Sequence, residues 1–165
     1  MIEIRTLTLQ DDLTAVGDLY ACSWKQTYQR ILPQHFLDRL THDRWSAVLR
    51  ADPGSSLGMF EDGTLIGTTM IGFPREEGRE GYGEIIGIHL LPEKEGLGHG
   101  RQLLEATLQH LREQGCENAC LWVMCANTHA VLFYVHMGFH PTGRVQLENY
   151  GGENVELMEL VIGLD

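Results

Sequence analysis

The stretch EIIGIHLLPEKEGLGHGRQLLEATL, residues 84–108, decides the fold. Glu84 to Leu91 reads as a strand whose near-continuous apolar content suits a central place in a sheet, and Gly87 within it predicts a bulge or a close backbone neighbour where the sheet opens. Pro92 ends the strand, glycines follow at 96, 98 and 100, and a helix is predicted from Gly98 to Gln114, with Leu104, Leu108 and Leu111 on one face and Gly115 closing it. Such a strand-to-helix turn suits an anion. Glycine reaches φ > 0 and admits close approach, while the unpaired N–H groups and positive dipole end of the helix attract negative charge. A diphosphate is the natural guest.

Spacing sets aside two better-known glycine loops. The dinucleotide fingerprint needs a small residue three positions after its second glycine, where Arg101 stands. The nucleotide-hydrolase loop needs Gly-Lys-Ser/Thr, but Gly100 is followed by Arg101 and Gln102. A lone glycine turn is more often a plain connector with no ligand, so the rest of the chain has to decide.

Upstream, Ile2, Ile4 and Leu7 suggest an opening strand, and Asp11 or Asp12 caps a helix running to about Tyr28. Pro33 ends or resets that helix. The spacing of Phe36, Leu37 and Leu40, then Trp45, Val48 and Leu49, predicts two short helices capping the substrate side. Leu57 to Glu61 and Leu65 to Phe73 flank Asp62-Gly63, a hairpin signal, and Pro74 to Gly83 reads as a mobile loop. Downstream, Asn118 to Met124 is a strand, Asn127 or Thr128 caps a helix to His136, and strands near Phe139 to Leu147 and Val155 to Ile162 close the chain.

Glu95-Gly96-Leu97-Gly98-His99-Gly100 after a strand and a proline, then Leu121-Trp122-Val123, Asn127, Phe133-Tyr134 and Gly138-Phe139, resemble the two motif blocks of the GNAT N-acetyltransferase superfamily in order and spacing. The resemblance covers about half of the chain. It implies an α/β (α+β) fold: a mixed, mostly antiparallel central sheet of about seven strands, splayed between the strands at 84–91 and 118–124 and flanked by helices. It also implies an acetyl-CoA-dependent transfer of an acetyl group to a primary amine on a small molecule, peptide or protein. Backbone N–H groups from about Leu97 to Gln102, within the loop Glu95, Gly96, Leu97, Gly98, His99, Gly100, Arg101 and Gln102, would take the diphosphate. His89, Leu90 and Leu91 would pair with the pantetheine amides, with the Leu90 N–H as oxyanion donor. Tyr134 matches the tyrosine that protonates the departing thiolate, which a phenol of pKa about 10 can do while un-ionised. Glu84 stands where many members carry the base that accepts the amine proton, and His89 is the alternative group titrating near neutrality. Asn127 is placed to contact the pantetheine arm, to cap its helix, or both. Glu95 departs from the usual Gln or Arg of the motif, and an acid beside a diphosphate weakens affinity.

For the acceptor, Trp24, Tyr28 and Pro33 in WKQTYQRILP resemble an amino-terminal pattern of one broad group in the superfamily. Trp24 and Tyr28 are i, i+4 neighbours whose packing needs no ligand. Tyr28 is the better pocket-lining candidate, and Tyr150 in the late loop faces the same region. No cysteine matches an acyl-carrying position, which favours direct attack in a ternary complex, with Cys125 the one thiol near the site. The alternative function is a CoA-binding sensor or regulatory module that keeps the fold with little turnover.

Composition bounds these readings. The length of 165 residues with 43% hydrophobic content fits one domain, residues 1–165, with an ordinary core. The amino end lacks a signal-peptide pattern and no run is long enough to span a membrane, so a soluble cytoplasmic protein is expected, without a membrane partner. Cysteines 22, 116, 120 and 125 lack C-x-x-C spacing and the eight histidines form no H-E-x-x-H, so no metal is predicted. With 23 acids against 12 Lys and Arg, the net charge of −11 argues against nucleic acid and suits a cationic acceptor. The expected partners are acetyl-CoA, an amine acceptor and, from the resemblance, a second copy in a homodimer.

Overall fold

The computed structural model describes residues 1–165. In chain order the elements are β1 (Ile2–Thr6), α1 (Leu13–Thr27), α2 (Gln34–Asp38), α3 (Asp43–Ala51), β2 (Ser56–Glu61), β3 (Thr64–Gly72), β4 (Tyr82–Leu90), α4 (His99–Glu113), β5 (Asn118–Met124), α5 (Thr128–His136), β6 (His140–Tyr150) and β7 (Glu153–Gly163). The strands form a single seven-stranded sheet in the order β1-β2-β3-β4-β5-β7-β6. Only β4 and β5 pair in parallel; every other neighbouring pair is antiparallel. This is the mixed, mostly antiparallel sheet that the sequence implies.

Local chemistry explains the boundaries. Asp12, not Asp11, caps α1 by accepting the Ala15 N–H at 3.0 Å, while Asp11 is held by the Arg5 guanidinium at 2.8 and 3.0 Å. The Asp62-Gly63 turn has positive φ at both residues, as a tight hairpin requires, and Gly115 ends α4 with φ of 88°. Pro33 opens α2 and does not end α1, which closes a turn earlier through Tyr28 N–H to the Trp24 carbonyl at 2.9 Å. The connection between β3 and β4, read from sequence as mobile, is pinned to the sheet by ion pairs from Glu76 and Arg79, and β4 starts at Tyr82.

The opening of the sheet follows from one extra residue. β4 pairs with β3 through Met70↔Gly87 and then Ile71↔Ile85, so Ile86 bulges out, 55% exposed. β4 and β5 are paired from Tyr82↔Asn118 to Ile85↔Leu121 and part beyond that point. Leu104, Leu108 and Leu111 of α4 pack against Ile71, Ile85, Leu121, Val123 and Leu160 on one face, together with Tyr134 and Phe139. On the opposite face, Leu32, Leu37 and Leu40 around α2 pack on Met124 and Leu157. The gap between β4 and β5 therefore lies between two filled layers and opens toward the start of α4.

Candidate active site

A short 3-10 turn at Pro92–Lys94 carries the chain from β4 to the glycine loop. Gly96 and Gly98 take φ of 74° and 87°, and Gly98 is the left-handed residue from which α4 springs without any side-chain cap. The consequence is a run of uncommitted donors: the N–H groups of Gly96, Leu97, Gly98, His99, Gly100 and Arg101 have no partner in the chain. Sequence reasoning extended this run to Gln102, but its N–H is taken by the Gly98 carbonyl at 3.2 Å, as the first regular bond of the helix. Glu95 is exposed and outside any ion pair, while Lys94 and Arg101 are paired with Glu61 and Glu105. Backbone N–H groups therefore supply most of the positive character of this nest.

The edge of β4 that faces the gap follows from the register. Leu91 N–H donates to the Ile66 carbonyl at 2.9 Å, and the pairs Gly67↔Leu90 and Thr68↔His89 continue the same ladder. Alternation in an antiparallel pair turns the main-chain groups of His89 and Leu91 toward β3 and those of Ile88 and Leu90 toward the gap. Of the three residues expected to pair with an extended ligand, Leu90 presents its main chain there; His89 and Leu91 are committed to the sheet. Ile88 is the residue that sequence reasoning missed, because the register is not visible in composition.

On the far side of the gap, Asn127 caps α5 by accepting the Ala130 N–H at 3.3 Å. Tyr134 is buried, its ring edge-on to Phe133 and Phe139 with centroids 5.3 and 5.6 Å away, and its hydroxyl has no protein partner yet is not sealed off. Burial, and then the nearby Tyr28, push the Tyr134 phenol up, so it stays protonated at neutral pH. Burial likewise raises the Tyr28 phenol, with Asn127 opposing. The end of α1 thus meets α5 and its cap at Tyr28, Asn127 and Tyr134.

Glu84 and His89 share a face. Ile85 and Ile88 both pack with the α4 layer, so the bulge at Ile86 leaves Glu84 and His89 pointing away from it. Glu84 is half-buried and pairs with no hydrogen-bond donor; burial, then the charges of Glu76 and Glu159, raise its pKa above the usual carboxylate range. The His89 ring bonds to Ser23 Oγ at 3.0 Å and lies edge-on to Tyr20, 4.9 Å between centroids. Burial there pulls its pKa down to about 4, which corrects the expectation of a group titrating near neutrality. His89 is neutral at pH 7 and joins α1 to the sheet.

Trp24 is edge-on to Tyr28 at 4.8 Å and to Tyr150 at 5.8 Å, and Phe36 closes on Tyr150 at 5.6 Å. Trp24 is chiefly a packing residue, its indole N–H sealed without a partner, whereas Tyr28 lies beside Asn127 and Tyr134. The Tyr150 hydroxyl donates to Glu148 at 2.7 Å. Arg44 lies over Trp24 and Phe36, 5.6 and 5.2 Å from the ring centroids, and the exposed helix pattern around it had offered no sign of this role.

A nest of free N–H groups, an open main-chain edge beside it, a buried phenol and a half-buried carboxylate define a class of protein suited to a long, anionic ligand. The comparisons give that class its family. The model of the Acetyltransferase (GNAT) family matches residues 13–139, and the chain belongs to that family. An uncharacterised N-acetyltransferase of Bacillus subtilis, YuaI, is 30% identical over 168 residues, covering 99% of this chain and 92% of that protein. A mycothiol acetyltransferase of Geodermatophilus obscurus is 36% identical over 90 residues, 53% of this chain, which spans only 29% of that longer protein. Among solved structures, the PaiA N-acetyltransferase of Thermoplasma acidophilum in complex with coenzyme A superposes with a TM-score of 0.76 at 24% identity, over 96% of this chain and 98% of that one. No helix of the present chain is long and apolar enough to cross a membrane.

Proposed function

We propose that the protein transfers an acetyl group from acetyl-CoA to a primary amine by direct attack within a ternary complex. The observation that carries this reading is the unbroken run of free N–H groups from Gly96 to Arg101 at the mouth of a gap whose edge exposes the main chain of Leu90. In this reading the nest holds the diphosphate, and Ile88 and Leu90 pair with the pantetheine amides. The Leu90 N–H then stabilises the oxyanion formed when the amine adds to the thioester. Glu84, ionised above its raised pKa, removes the ammonium proton directly or through water. Tyr134 delivers its proton to the thiolate as the carbon–sulfur bond breaks. Tyr28, Tyr150 and Phe36 form an apolar wall for the acceptor, and the surrounding acidic charge favours a cation.

A thiol-release assay tests the reading: purified protein, acetyl-CoA, and a panel of polyamines, aminoglycosides, amino acids and peptides. Amine-dependent release of CoA is expected with at least one class. Tight acetyl-CoA binding without amine-dependent release across the panel would instead support a CoA-binding sensor of the same fold.

A further inference from the structure

Glu159 stands in the apolar strand VELMELVIG, and its side chain is completely buried. A charge at such a depth requires compensation, and here it is fourfold. Arg79 grips both carboxylate oxygens, through Nε to Oε2 at 3.0 Å and through Nη2 to Oε1. Arg144 Nη1 donates to Oε2 at 3.0 Å and Thr142 Oγ1 to Oε1 at 2.9 Å. The second arm of Arg144 reaches Glu76. The network thus ties together the connection between β3 and β4, a break in the β6 register between Pro141 and Val145, and the middle of β7. Arg144 also lies over the Trp122 ring and Arg79 over Tyr82, which fixes both guanidinium planes.

This network lies on the same sheet face as Glu84. Glu84 pairs in register with Cys120 of β5, and β5 pairs in turn with β7, Trp122 opposite Glu159. The groups around Glu84 are Glu76 and Arg79 from the connection, Glu159 from β7, Arg144 from β6, the Cys120 thiol, and Tyr82 on its own strand. Burial pushes the Cys120 thiol up to about 12, so it is neutral and contributes no charge. Two acids and two guanidiniums cancel in sum. Burial opposes the ionisation of Glu84 most, and the charges of Glu76 and Glu159 oppose it further.

We propose that the network of Arg79, Glu159, Arg144 and Glu76 holds two acids on the sheet face of Glu84 and so makes Glu76 and Glu159 positioning residues that ready Glu84 to accept a proton from the acceptor. The proposal rests on the reading of Glu84 as the base. A buried ion network contributes little net stability compared with apolar packing, so stability alone is a weak reason for four polar side chains here. A field that keeps a half-buried carboxylate eager for a proton is a stronger one.

The experiment is the pH dependence of kcat/KM for the parent and for Glu84→Gln, Glu76→Gln, Glu159→Gln and Arg144→Gln. Glu84→Gln removes the acidic limb. Glu76→Gln and Glu159→Gln move that limb to lower pH, so that each variant is more active than the parent at acidic pH, and Arg144→Gln moves it to higher pH. Structural damage would lower activity at every pH and could not produce a gain on the acid side. Glu159→Gln leaves two guanidiniums short of a partner and risks misfolding, whereas Glu76 is near the surface, so its variant keeps the test decisive. An acidic limb that persists in Glu84→Gln overturns the base assignment and this proposal with it. A limb lost in Glu84→Gln but unmoved in Glu76→Gln and Arg144→Gln overturns this proposal alone.

Discussion

Gly98→Ala probes the link between backbone conformation and the anion nest. Gly98 has φ of 87° and ψ of 0°, and a Cβ built there meets no atom within 4 Å. Neighbours therefore contribute nothing to the cost, which is the left-handed penalty of an L-residue alone, about 1–2 kcal/mol. Where that cost appears depends on whether the free loop relaxes. If it holds its shape, the unliganded protein loses about 1–2 kcal/mol, a fall in Tm of roughly 2–8 °C for a domain of this size, and acetyl-CoA affinity is unchanged. If the loop escapes the strain by turning the N–H groups of His99 and Gly100 away, stability is kept and affinity falls about 5- to 30-fold, because binding must restore the strained form. The bound state is strained in either case, so the two losses sum to the same total. Urea denaturation of the free protein and calorimetric titration with acetyl-CoA measure the two parts. Gly100→Ala is the control: its Cβ would sit at ordinary contact distance, 3.7 Å from Leu90 Cδ1 and from the Phe133 ring, inside the first turn of α4. It should gain roughly 0.5–1 kcal/mol of stability. A summed loss near zero for Gly98→Ala, or the same sign of stability change for both variants, would refute the account of the loop.

Three further outcomes are expected. Tyr134→Phe keeps its ring packing and forfeits no protein hydrogen bond, so stability and acetyl-CoA affinity hold while kcat falls by about 10²-fold, the lower range for loss of a general acid; undiminished kcat removes Tyr134 from the mechanism. The His89 pKa is depressed from its ordinary 6.5 to about 4, so the unfolded chain takes up this proton first. Its contribution is complete above about pH 6.5 and is lost as pH falls toward 4, and a His89→Gln variant should show a shallower decline in denaturation midpoint across that window; equal slopes would show that His89 is not held neutral. Ser56 Oγ is buried without a partner, so Ser56→Ala should be neutral or slightly stabilising, whereas Thr68→Val should cost about 1 kcal/mol through the lost bond to the Leu57 carbonyl at 3.0 Å; chemical denaturation that ranks them in the opposite order would contradict this.

What the sequence made legible is what short range determines. Asp62-Gly63, Gly115, Asn127 and Gly138 each signal a turn or cap through a backbone requirement that few residues meet, and the structure uses all four. Leu104, Leu108 and Leu111 announced their face through helical period alone. The residues that stayed hidden depend on partners far along the chain: Arg79 and Glu159 are 80 positions apart, and nothing in VELMELVIG names the residue that balances a buried acid. The direction of His89 was hidden for a different reason. Strand side chains alternate with period two, so residues 84 and 89 belong on opposite faces of a regular strand, and only a bulge brings them to the same one. Gly87 hinted that the regular pattern breaks; the register shows that the extra residue is Ile86. That single insertion has two effects. It bends β4 away from β5, which frees the main-chain edge of Ile88 and Leu90, and it points His89 into α1 beside Tyr20 and Ser23, on the face that also carries Glu84. The main-chain groups proposed to hold the thioester arm and the carboxylate proposed to take the amine proton are therefore set in relation to each other by one irregularity in one strand, and a variant that deletes it should disturb both.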